Sequence, residues 1–214
     1  TLLGAGMLWF GWFGFNAGSA LASNDNAALA LVNTHVAAGA AAFAWALVEW
    51  IKQGKPTALG VASGLVAGLV VITPAAGFVG PMSAVVMGLI AGPVCYGAVM
   101  MKGKLGYDDA LDAFGIHGVG GALGAVLTGV FAAAAWGGTE GLIGGNSDLF
   151  IENIIGVVAA AIYSALVTLV ILKVLDVTIG LRVSNDEESE GLDTNLHGEE
   201  GYHMGGAGAL SGSE

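Results

Sequence analysis

Charge is what this sequence has least of. Only 11% of its 214 residues are charged, against 55% hydrophobic, where a water-soluble domain carries about a quarter charged residues. That deficit excludes an ordinary soluble domain and points to lipid as the solvent. Cysteine is nearly absent too: Cys95 alone can form no internal disulfide and has no thiol partner for a metal site. Lying in an apolar stretch, it reads as a buried, inert thiol. Lysine and arginine number six, and none follows Arg182, whereas eight of the seventeen acids do. The net charge of −11 therefore belongs largely to a C-terminal tail and excludes nucleic acid as a partner. A collagen-like glycine period is missing although there are 37 glycines; in so apolar a chain they fit membrane helices that approach closely. No methionine or basic segment precedes Thr1-Leu2-Leu3, so no cleavable signal is expected, and an upstream part of the protein is expected instead.

Apolar runs of about 20 residues can cross a bilayer as helices. Six are expected, at 2–22, 28–50, 57–72, 81–101, 109–134 and 149–175. The fold class is thus all-α, a polytopic membrane domain over 1–182 followed by an acidic tail over 183–214. Pro81 suits the first turn of a helix, where its missing N–H has no partner to lose. The basic residues sort by side: Lys52 and Lys55, Lys102 and Lys104, Lys173 and Arg182 fall in alternate loops, while the opposite loops carry Asp25, Glu140 and Asp148. Positive residues favour the cytoplasm, which predicts a cytoplasmic C-terminus and places Thr1 near the same face. Gly60, Gly64 and Gly68, Gly120 with Gly124, and Gly14 with Gly18 recur every four residues and predict ridges for helix crossing. Composition alone predicts a poorly ordered tail, with a docking element as the other possibility.

Few residues inside these spans can carry chemistry. His117 stands in the fifth, and an ionisable group at membrane depth faces a cavity or the bundle interior. Its neutral imidazole both donates and accepts a hydrogen bond, which matches a small molecule such as ammonia. Asp109, eight residues earlier, suits the positive end of the helix; with Asp112 it reads as a cap or interhelical contact rather than a proton carrier. Trp12, Phe15 and Ser19 share one helix face, as a packing stripe or as the wall of a pathway able to hold a cation. His35 is either a second pore histidine or a polar contact between helices. His197 and His203 are too isolated for a metal site, and no cofactor is expected.

Five segments in order, spread over nearly the whole chain, resemble the ammonium transporter (Amt/Mep/Rh) family: 9–19, Asn33-Thr34, 72–77, 112–118, and in the tail 180–184, 190–193 and 197–199. The resemblance implies an eleven-helix fold of two inverted five-helix halves plus a last helix, assembled as a homotrimer with one pore per subunit. This chain would supply the sixth to eleventh helices, the C-terminal half of a bacterial-type channel in the inner membrane. By the same likeness Phe15 is one of two gate phenylalanines, Ser19 the hydroxyl that helps hold ammonium outside, Trp12 a pore-lining tryptophan, and His117 the second of a histidine pair. Asp109 occupies the place of the repeat's acidic residue. Gly191, Asp193, His197 and Gly198 belong to a regulatory tail through which a PII-type signalling protein blocks the pore. The function implied is transport of ammonium or ammonia, not an enzymatic reaction. Two alternatives stand beside it: a haem-binding electron-transfer subunit ligated by His35 and His117, and a non-conducting ammonium sensor.

Overall fold

The computed structural model describes residues 1–199 and 201, and every regular element among them is helical. The chain divides into one compact unit, Thr1–Ala160, and a second that begins at Ala161.

In the first unit, α1 runs over Leu2–Gly18, α2 over Asp25–Gln53, α3 over Ala58–Ile72 and α4 over Pro81–Leu105. A π-helical turn at Phe114–Gly118 then leads into α5, Val119–Phe131, followed by a single turn, α6, at Ala134–Gly137. The long helix α7 covers Ser147–Thr178. Local chemistry fixes these ends. The Asn24 side chain accepts from the Ala27 N–H at 3.0 Å to start α2, and Gly54 closes it in the left-handed region at φ 82°, which glycine adopts without a Cβ penalty. Asp25 in the first turn and Lys52 in the last match the helix dipole. Pro81 opens α4 as expected.

Two predicted spans are shorter in the structure by several residues. The first ends at Gly18 rather than residue 22, because the Ser19 hydroxyl donates to the Phe15 carbonyl and Leu21 turns the chain at φ 53°. The fifth starts at Phe114 rather than residue 109: the segment before it is a turn in which Asp112 sits at φ 57°. Among the described residues four helices are long and apolar enough to cross a bilayer, namely α2, α4, the π turn with α5, and α7. Helices α1 and α3 hold 17 and 15 residues, about 25 and 22 Å of helix, less than the roughly 30 Å hydrocarbon core. No residue of α7 is buried although its mean hydropathy reaches 2.6. So apolar a helix with no buried residue needs a non-aqueous neighbour.

The core lies where α2, α3 and α4 meet. Ala37, Ala38, Ala41, Leu69, Val71, Ile72, Met87, Ala91 and Cys95 are fully buried, so Cys95 is buried as expected. The glycine ridge of α3 lies against α2: a Cβ on Gly64 would stand 2.4 Å from the Trp45 Cβ, and one on Gly68 2.5 Å from the Ala37 carbonyl oxygen. Gly124 of α5 presses likewise on the Val71 carbonyl, at 2.3 Å. Gly14 and Gly18 differ, since among the described residues nothing lies within 4 Å of a Cβ built on either.

A buried carboxylate ties α2 to α3. Glu49, 6% exposed, accepts from the Thr57 N–H at 2.8 Å and from the Thr57 hydroxyl at 2.9 Å, while that hydroxyl accepts from the Gly60 N–H. Glu49→Ala is expected to lower stability by about 1–3 kcal/mol, the scale of a lost hydrogen bond to a carboxylate at a part-buried donor. Thermal unfolding in detergent checks this, and an unchanged midpoint would show the contact to be dispensable.

In the second unit the described part of the tail is more ordered than its composition predicts. Residues Asn185–Glu190 form a short helix, α8, and Asp193–His197 a π-helical turn. The correction has a local cause. Ser184 and Glu187 cap each other reciprocally, and Asn195 donates to the Glu187 and Gly191 carbonyls. Hydrogen bonds from the Ser184 N–H, then from its hydroxyl, hold the Glu187 carboxyl below its ordinary range. Gly191 and Gly198 take the positive φ values that end the two turns. His203 lies outside the described residues.

Candidate functional site

Trp12 organises the site. Its indole N–H donates to the Thr73 hydroxyl at 2.8 Å, and Thr73, the C-cap of α3, donates in turn to the Leu69 carbonyl at 2.7 Å. Because α3 is locked in the core, this chain of bonds fixes the orientation of the ring. The Phe15 ring meets Trp12 edge-on with centroids 5.7 Å apart, and the His117 imidazole faces it at 6.5 Å with 31° between planes. Trp12 is half-buried, while Phe15 and His117 are exposed. The three rings thus line an open apolar surface with one titratable group in it. The other side of α1 holds to α2 by polar contact: the Asn16 amide donates to Thr34 at 2.9 Å, both side chains being buried.

Ser19 does not continue this helical face. It follows the last residue of α1 and directs its proton to the Phe15 carbonyl at 2.6 Å, which leaves the hydroxyl oxygen free to accept. His35 lies between helices, among rings. It stacks on Trp9 at 5.0 Å and leans on Phe13 at 5.9 Å, joining α2 to α1 through rings other than those that hold His117.

Asp109 is a cap. Its two carboxylate oxygens accept from the Ala113 and Phe114 N–H groups at 2.9 and 3.0 Å, the donors that open the π turn. Asp112, in the turn before the π turn, makes an ion pair with Lys102 at the end of α4. Gly191, Asp193, His197 and Gly198 lie together in the α8 to π-turn segment of the second unit. Thr73 and Lys102 were not singled out from sequence. Thr73 lies 61 residues from Trp12, and no spacing rule spans that distance; Lys102 counted only as a charge.

Arranged this way, the rings offer a cation an aromatic face and offer a neutral polar molecule one imidazole that can donate and accept. Among the described residues no group of three or more His, Cys, Asp or Glu side chains could hold a metal ion.

Known proteins match this chain closely. The profile of the Ammonium Transporter Family covers residues 1–202. An ammonium transporter of Aquifex aeolicus (strain VF5) is 58% identical over 203 residues, which are 94% of this chain and 48% of that protein. The crystal structure of Saccharomyces cerevisiae Mep2 superposes with a TM-score of 0.82 at 39% identity, over 86% of this chain and 43% of Mep2. A structure titled Sensor Amt Protein gives a TM-score of 0.84 at 32% identity, over 91% and 48%. The chain spans about half the length of the curated relatives it matches. It is a multi-pass membrane protein, and it belongs to the ammonium transporter family.

Proposed function

We propose that this chain forms one half of a pathway that carries ammonium, as ammonia, across the cell's inner membrane. The observation that carries the proposal is the ring cluster in which Trp12 touches both Phe15 and His117. Hydrated ammonium is drawn to the outer end by the faces of Phe15 and Trp12 and by the Ser19 oxygen. A bare cation in an apolar conduit meets a large desolvation penalty, so the ion hands its proton to water at the outer end, the neutral molecule passes, and a proton crosses separately to recharge it inside, which moves one positive charge per cycle. His117 then replaces hydrogen bonds lost from water, and Phe15 closes the outer end. Potassium, which has no proton to lose, is rejected. Asp109 and Asp112 support the helix that bears His117. A homotrimer with cytoplasmic C-termini, and a PII-type protein acting through Gly191, Asp193, His197 and Gly198, complete the proposal.

The identity to a curated transporter exceeds that to the sensor protein, which favours transport over sensing. Currents across liposomes holding the complete transporter test it. They should appear with ammonium and vanish when sodium replaces it, and residues 1–214 alone should give none. Equal currents in both salts would refute it.

A further inference from the structure

The π turn that carries His117 is held from outside the ring cluster. Lys102, in the last turn of α4, donates to the Asp109 carbonyl at 2.8 Å and pairs with the Asp112 carboxylate. The Asp109 carboxylate in turn binds the Ala113 and Phe114 N–H groups. Asp112 is held at φ 57°, a conformation that costs a non-glycine residue free energy and persists where its surroundings impose it. Seven residues later the Val119 N–H reaches back five residues to the Phe114 carbonyl, the bond that defines the π turn, as well as to Ile116. The turn is also wedged on α4: a Cβ on Gly115 would stand 2.8 Å from Val99 Cγ2 and 3.1 Å from the Val99 nitrogen.

A π turn accommodates one residue more than an α-helical turn, and one residue corresponds to about 100° of helix rotation. Whether the turn keeps its register therefore decides whether the imidazole faces Trp12 or swings off it. From this we infer that Lys102 is a positioning residue. Its contacts with Asp112 and Asp109 latch the segment before the π turn to α4, and so set the direction in which His117 points. The latch needs no contact between Lys102 and the cargo. Its effect on flux rests on the proposed pore role of His117; its effect on ring orientation does not.

The test uses the complete transporter with ¹⁵N-labelled histidine, the His117 ring signals being identified by their loss in His117→Phe. In Lys102→Met those signals should shift and ammonium flux should fall by about 10- to 100-fold, the scale on which ångström misplacements act. Lys102→Arg, which can still pair with Asp112, should restore both. Asp112→Asn covers the case in which Lys102→Met does not fold: asparagine tolerates the left-handed region, so only the ion pair weakens, and the signals should again move. Ring signals in Lys102→Met, or failing that in Asp112→Asn, that superpose on those of the unaltered protein would overturn the latch. Signals that move while flux stays constant would uphold the latch and remove His117 from the pathway.

Discussion

His117→Phe is expected to slow ammonium flux roughly 5- to 150-fold in the complete transporter, with folding intact. Phenylalanine keeps a ring against Trp12, which His117 faces at 6.5 Å, but removes the group's only donor and acceptor. One missing hydrogen bond to a polar molecule without water costs about 1–3 kcal/mol, and each 1.36 kcal/mol on a barrier is tenfold in rate. Because His117 is exposed in this chain, little core packing is disturbed. His117→Gln, which still donates and accepts, should recover part of the loss. Initial rates of ammonium-dependent current at fixed transporter density check both. Unaltered flux through His117→Phe would mean that the imidazole does not serve the cargo.

The sequence made the helices legible because lipid makes their signal strong. Apolar runs marked where the helices lie, and among the described residues four of them are long and apolar enough to cross a bilayer. The ends were less legible where side chains compete with the backbone. Ser19 and Leu21 stop the first helix inside an apolar run. Asp109 postpones the fifth by taking its first N–H groups. In both places hydropathy continues after helical geometry has stopped. The tail shows the opposite case: its composition is that of a disordered chain, yet the reciprocal Ser184 and Glu187 cap gives six residues a helix.

At the site, residue types were readable and partnerships were not. Trp12, Phe15 and His117 stood out as aromatic or ionisable groups in apolar spans. That Trp12 would be oriented by Thr73 depends on α1 packing beside the end of α3, a tertiary fact. Glu49 was overlooked for a related reason: near a helix end it reads as a solvated charge, whereas the structure buries it under Thr57. On sequence a pore role stood open for His35 beside a contact between helices, as it did for His117. Only their different ring partners, Trp9 and Phe13 for one and Trp12 for the other, separate them.

Gly68→Ala is expected to destabilise the first unit by about 2–3 kcal/mol, a large effect for one methyl group. The added carbon would lie 2.5 Å from the Ala37 oxygen, 2.7 Å from the Ala41 Cβ and 2.8 Å from the Ala38 Cα. Two of these three atoms are backbone, so no rotamer change relieves the clash and α3 must move off α2. Such movement is hindered from the far side, because Gly88 of α4 seats against the same Ala37 oxygen, its Cβ position 2.4 Å away. Gly97→Ala in α4 is the matched control: it adds the same atom to a helix with nothing within 4 Å. There the better helix propensity of alanine should leave stability equal or raise it by up to about 1 kcal/mol. Thermal unfolding of both variants in one detergent measures the difference, which should lower the midpoint of Gly68→Ala alone. If the two melt together, the α2, α3 and α4 junction yields to an added methyl, and Gly68 is not what lets these helices meet.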